Sequence, residues 1–328
     1  MKIVPFSFFS DYSKEALPSA LYDPDLRNAF AAINNADSKQ DFSFRVEDES
    51  GSLAYCLLYH DVAKQPPVFW ALGAPATFWF TEKCPVEKKK KVAKLAVAEI
   101  KKCLFNSPQS IVSYAEYFVE NELLIPTMHL MLEYSCASSL AFSHKIALYH
   151  SEELLRSNLR DRYKSLINKG IREFSFVTIS KANVSENDIE KLHKCHIVAS
   201  GRDVYTESFW GVWQKEIETG RAFMTLAEQS GQITGGCLCT ISTDTMYYAI
   251  GAFDRELTHS GLSHACLWRS IAFAKSQGMA FFEMGRTDFA CLKPDVSDKE
   301  MTIGFFKRGF GGSNAPVLYL IATIDNSA

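Results

Sequence analysis

Apolar positions along this chain change period several times, and the most ordered succession of changes runs from Tyr247 to Gly312. Tyr247 to Phe253 is a continuous apolar and aromatic run, the pattern of a buried strand. Ser260-Gly261 then opens a helix that reaches about Gln277, with Leu267, Ile271 and Ala274 at helical spacing. Gly278 stands where a left-handed C-terminal cap belongs. Met279 to Met284 reads as a second strand, and Lys299 to Arg308 as a second helix that stops at Gly309.

The remaining elements fall into two similar series. In the first, helical candidates near Ser13–Ala20 and Asp25–Asn34 precede strands at Phe42–Val46 and Ser52–Tyr59, joined by the turn Glu49-Ser50-Gly51. A third apolar run, Val68 to Phe80, leads to a long helix from Val86 to Leu104. That helix aligns Val92, Leu95, Ala96, Ile100, Cys103 and Leu104 on one face. Ile111–Tyr117 is a strand, and Met131–Leu148 a turn plus strand. In the second series, strands at Arg221–Glu228, Ile233–Ile241 and Met246–Phe253 precede the helix and strand already described, and Pro316–Ile324 closes it. Each half thus reads as helices, three antiparallel strands, helix, strand and closing strand, a duplication visible in element order alone. The expected boundaries are 1–149 and 150–328, the second half entered through a basic helix at 150–172.

Composition narrows the class. A length of 328 residues, 47% hydrophobic and 22% charged, is that of a globular protein with one large or two ordinary domains. A formal charge of −3 gives no global attraction to nucleic acid, so a DNA partner is not expected. Nine cysteines without a short repeated spacing argue against a disulfide framework and for a reducing cytoplasm. The N-terminal pattern is not that of a signal peptide, and no run approaches the roughly 18 apolar residues of a membrane span. Lys88 to Lys91, Lys94, Lys101 and Lys102 read as the solvated face of the long helix.

Several residues bear chemistry. A glycine turn between strand and helix aims backbone N–H groups outward at the positive end of the helix dipole, an arrangement suited to phosphate. It is equally the shape of a simple connecting loop. The helix at 150–172 carries Arg156, Arg160, Arg162, Lys164, Lys169 and Arg172. These either grip an anionic donor or acceptor or pair with Glu152, Glu153 and Asp161 on a solvated helix, and spacing does not choose. His193 and His196 share a helix face without a second ligand pair, so no metal is expected. Cys237 and Cys239 alternate onto one face of a strand as packing residues, and Trp210 and Trp213 read as core.

The segment Trp268, Ile271, Ala274, Gly278, then Glu283-Met284-Gly285, then Phe306-Lys307-Arg308-Gly309-Phe310-Gly311 resembles the C-terminal half of the FemAB-like acyltransferases, which are built on the GNAT fold. Glu283 stands where that family more often has Asp, and Thr258 to Ser263 resembles a worn form of its pyrophosphate turn. The resemblance implies an α/β (α+β) fold of two tandem GNAT-like halves, each a mixed sheet flanked by helices, the first without a cofactor turn. It places the donor at Ser260, Gly261, Leu262 and Ser263, and singles out Lys307 as a cation for the oxyanion or a phosphate. Arg162-Tyr163 resembles a family Arg-Tyr pair, and Arg202 and Tyr205 lie in the loop that in this layout reaches over the acceptor. Tyr248, His259, Glu283 and Asp288 are the candidate bases.

The implied activity is N-acyl transfer to an amine of a cell-envelope precursor or amino sugar. The donor is an acyl-CoA or acyl-carrier thioester acting as co-substrate, with no permanently bound cofactor. Two alternatives stand beside it: an aminoacyl-tRNA-dependent peptidoglycan-precursor aminoacyltransferase, and a non-catalytic binding module on a GNAT scaffold. Nothing in the pattern fixes the acceptor or the oligomeric state.

Overall fold

The computed structural model describes residues 1–5, 27, 39–71, 74–107, 109–117, 131, 136–242 and 244–323. The helices expected near Ser13–Ala20 and Asp25–Asn34 lie outside these residues, Arg27 apart. The chain forms two compact units, one of Met1–Pro18, Arg27–Ala141 and Pro316–Ala328, the other of Ser19–Leu26 and Phe142–Ala315.

In the first unit β1 (Lys2–Pro5), β3 (Phe44–Asp48), β4 (Gly51–Leu57) and β7 (Thr77–Phe80) form an antiparallel sheet in that order. A second group comprises β2 (Lys39–Asp41), β5 (Tyr59–Asp61), β6 (Val68–Trp70) and β8 (Ile111–Tyr117), with β6 parallel to β8. Ala76 bridges to Tyr114 in the parallel sense and so joins the two groups. Helix α1 (Val86–Phe105) buries Val92, Ala93, Ala96, Val97, Ile100, Cys103 and Leu104 against this core, the face its apolar spacing predicts. Its lysines face outward, with Lys88 paired to Asp48 at 2.7 Å.

The second unit contains the end of β9 (Cys136–Ala147), α2 (Glu152–Ser157), α3 (Asp161–Glu173), β10 (Ser175–Ile179), α4 (Asp188–Ser200), α5 (Glu207–Thr219), β11 (Ala222–Gln229), β12 (Gln232–Ile241) and β13 (Thr245–Phe253). They are followed by α6 (Leu262–Ser276), β14 (Phe281–Thr287), α7 (Asp298–Arg308) and the start of β15 (Ser313–Thr323). The strand order is β10-β11-β12-β13-β14-β9, antiparallel except where β13 meets β14. Phe223, Cys239, Met246, Leu267, Trp268, Ile271, Phe282 and Met284 form the core beneath α6.

Two expectations are corrected. The strand expected to stop at Met284 continues to Thr287, so Glu283 and Gly285 lie within β14 rather than at its end. The closing strands are also exchanged. Val317–Thr323 of β15 pairs with β8 in the first unit, while β14 is flanked by residues 142–147 of β9. An alternating apolar pattern fixes which face of a strand is buried but not which neighbour it joins.

Candidate active site

Parallel pairing of β13 with β14 is confined to Thr245–Phe281, Met246–Phe282 and Tyr247–Glu283. Beyond the last pair the strands diverge and leave a wedge, and two consecutive tyrosines stand where it opens. Successive strand residues face opposite sides of a sheet. Tyr247 crosses from β13 to β14, and its hydroxyl lies 2.6 Å from where a side chain on Gly285 would begin. Gly285 is also left-handed, at φ +76°, so glycine is required there twice over. This is the physical content of the acidic-x-glycine motif. On the other face Tyr248 packs on the α6 core, and its hydroxyl occupies the place a side chain on Gly251 would need. Burial pushes the Tyr248 phenol well above its ordinary value, with the thiols of Cys237, Cys239 and Cys266 adding to the shift, so it stays protonated.

A bulge between Glu283 and Gly285 sets two side chains of β9 on one carboxylate. Glu283 is only 4% exposed. Its Oε1 accepts from Ser143 Oγ at 2.5 Å, and its Oε2 pairs with Lys145 Nζ at 3.5 Å. Lys307, on α7, donates from Nζ to the Arg286 carbonyl at 2.9 Å, and Arg286 Nε in turn donates to Asp288 Oδ1 at 2.7 Å. Burial pulls the Lys307 ammonium down to about 8, opposed by the charges of Asp288 and Glu283. Of the expected site residues, Lys307, Glu283 and Asp288 therefore lie together, while Tyr248 faces the α6 core.

The segment after Lys307 is fixed from several sides. Phe306 and Phe310 pack with Tyr163 and His264. The His144 ring bridges the Gly311 carbonyl at 2.5 Å and Asn314 Oδ1 at 2.9 Å. Burial holds that imidazole below its ordinary value. Gly312, at φ +85°, lies directly against the Lys145 carbonyl.

The remaining expected residues lie elsewhere. Gly261 takes the left-handed conformation at φ +83°, and the carbonyl of Leu166 in α3 packs directly against it. Gly170 likewise meets Ala265, Lys169 Nζ donates to the His259 carbonyl at 3.1 Å, and the Leu262 amide is taken by Ser260 Oγ at 3.2 Å. One flank of the turn Ser260–Ser263 is thus closed by a helix.

Tyr163, expected as a substrate contact, is 5% exposed and donates its hydroxyl to the Phe306 carbonyl at 3.1 Å. It is a core residue, because the R-Y spacing places it on the buried face of α3. Arg162 is exposed. The basic charges on α2 and α3 are substantially paired, through Arg156–Glu152, Lys164–Asp161 and Lys169–Glu173.

Arg202 and Tyr205 lie between α4 and α5. Arg202 is exposed, while Tyr205 stacks on Phe209 at 4.3 Å and burial raises its phenol. His193 fastens this loop, its ring lying 3.1 Å from Asp203 and 3.5 Å from Glu190. Among the described residues no three His, Cys, Asp or Glu side chains form a metal-binding group, and no helix is long and apolar enough to cross a membrane.

Residues 155–290 match the family model of the acetyltransferase (GNAT) domain. The chain has a tandem GNAT, FemAB-like acyltransferase fold. The chemistry named by the matched domain's description is acetyl transfer. The crystal structure of FemX is similar at 11% identity, covering 97% of each chain with a TM-score of 0.67. L-PGS from Bacillus licheniformis is similar at 14% identity, over 97% of this chain and 95% of its own, with a TM-score of 0.58. A C-terminal domain of a putative lysylphosphatidylglycerol synthetase from Agrobacterium fabrum gives 10% identity, 94% and 87% coverage and a TM-score of 0.57. No curated protein matches the sequence. Within the GNAT half, Tyr247, Ser143 and Lys145 were not legible as site residues. Gly285 was the available signal for Tyr247, since a glycine inside a strand marks close approach of another group.

Proposed function

We propose that this protein is an N-acyltransferase that moves a short acyl or aminoacyl group from a thioester onto an amine. The observation that carries this reading is the gathering of Lys307, Glu283 and Tyr247 where β13 and β14 part. An extended donor lying along the unpaired edge of β13 presents its carbonyl to that cluster. As the amine nitrogen attacks the carbonyl carbon, negative charge develops on the oxygen, and the Lys307 ammonium offsets it. The carbon–sulfur bond then breaks, and the leaving thiolate takes up a proton from solvent, while the Tyr248 phenol stays protonated. The proton lost by the amine passes to Glu283, which exchanges it with solvent. An acceptor amine on a cell-envelope precursor or amino sugar accords with the family resemblance, with Arg202 and the α4–α5 loop on the acceptor side. The protein in this reading is cytoplasmic and holds no permanent cofactor.

A second donor is favoured by one observation. Because α3 closes one flank of the Gly261 turn, an aminoacyl ester on tRNA that needs no pyrophosphate seat there is the alternative to acyl-CoA. Thermal stability in the presence of acyl-CoAs, free CoA and charged tRNA separates the two. The ligand that binds raises the melting point by mass action, by about 2.7 kcal/mol at a hundredfold excess over its dissociation constant. Lys307→Met should keep donor binding and lose turnover. Full turnover in that variant removes Lys307 from the chemistry.

A further inference from the structure

We infer that Tyr247 sets the size of the group this protein transfers, restricting it to acyl or aminoacyl groups with a small side chain; this rests on the acyl-transfer reading of the same wedge. The side chain leaves β13 at the last residue paired to β14 and ends on Gly285, two residues further along the opposite strand. It therefore lies across the gap that the diverging strands create. Tyr248 fills the other face and ends over Gly251.

The two rings close the apex of the wedge from both faces. A donor entering from the open end brings its carbonyl toward Lys307 and Glu283, and whatever the carbonyl carries must fit before the ring of Tyr247. Gly285 cannot move aside, since its left-handed backbone is built into the bulge that positions Glu283. The ring is held from beneath by backbone rather than by a side chain able to change rotamer. A methyl or alanyl group suits such a space, and a long or branched chain does not.

The probes are N-acetylcysteamine thioesters carrying acetyl, butyryl, hexanoyl, octanoyl, alanyl or leucyl groups, which present the reacting end without the rest of any donor. Binding is read as the rise in melting temperature with thioester concentration. The wild-type protein should respond to acetyl and alanyl thioesters and not to hexanoyl, octanoyl or leucyl. In Tyr247→Ala the response should extend to hexanoyl and leucyl, a gain of about tenfold or more in apparent affinity. Tyr247→Phe should keep the wild-type limit, because the ring and not the hydroxyl sets it. Tyr247→Leu serves as the shortened variant if the alanine protein does not fold. Equal wild-type response to octanoyl and acetyl, or an unchanged range in the shortened variant, overturns the size limit alone. Silence of wild type and variant toward every thioester overturns the thioester reading and the size limit with it.

Discussion

The carbonyl oxygen of Leu166 lies directly on Gly261, so the glycine at the head of α6 is where helix α3 crosses it. A side chain at this position meets both a backbone oxygen and a left-handed φ of +83°. Strain of that kind costs about 1–3 kcal/mol before the steric clash is added. Gly261→Ala should therefore lower the urea midpoint by the equivalent of about 2 kcal/mol or more. Gly201→Ala is the control, since it shares the left-handed conformation at φ +76° but has nothing within 4 Å. Equal losses in the two variants would show that α3 does not press on the turn.

Lys307 gives the protein a pH dependence of defined sign. Its ammonium titrates near 8 in the folded state, below its ordinary value, because burial disfavours the charge. If the ammonium stabilises the oxyanion, turnover falls as pH rises through about 8. Lys307→Arg stays charged throughout and should lose that alkaline limb. Stability moves the opposite way. Between the folded and ordinary values the unfolded chain binds more protons, so this residue's contribution to stability rises with pH from about 8 upward. Urea midpoints of wild type and Lys307→Met, compared from neutral to alkaline pH, should converge along that interval.

The pairing of Lys145 with Glu283 is tested by a double-mutant cycle. Lys145→Met leaves a carboxylate that is 4% exposed without its cation. Loss of one partner from a mostly buried pair should cost about 1–3 kcal/mol, less than the full penalty because the lysine reaches solvent. Adding Glu283→Gln should recover part of that loss, as the uncompensated charge is gone. Strict additivity of the two changes would mean that Lys145 does not stabilise the carboxylate.

The succession from β13 through α7 was legible because each step is signalled locally: an apolar run, a glycine, a helical repeat, another run. Lys307 and Glu283 came with it through a motif confined to that segment. Ser143 and Lys145 did not, since what brings them to Glu283 is antiparallel register across 140 residues of chain, displaced by a bulge. The exchange of β15 and β9 escaped for the same reason, as pairing partners leave no mark on a strand's own alternation. Tyr163 misled because an arginine-tyrosine pair on a basic helix reads as surface, whereas the helix phase turns Tyr163 inward and only Arg162 outward. The helix against Gly261 was not legible, because a left-handed glycine before a helix serves a phosphate or a crossing helix equally well.

The helix that carries Lys307 starts in a capping box, and this gives the last prediction. Ser297 Oγ accepts from the Glu300 amide at 3.2 Å, while Glu300 Oε2 accepts from the Ser297 amide at 2.8 Å. Ser297→Ala should cost about 1 kcal/mol at neutral pH. Glu300 is drawn down to about 2, first by its hydrogen bond from Lys293 and then by those from Ser297. A carboxyl depressed in the folded state stabilises above its ordinary value and loses that contribution as pH falls through the folded one. Glu300→Gln keeps a capping amide but no charge, so its stability deficit at neutral pH should vanish as pH falls toward about 2. Circular dichroism melts of the two proteins across that range decide the matter. A deficit that persists in acid would place Glu300's contribution in packing rather than in charge.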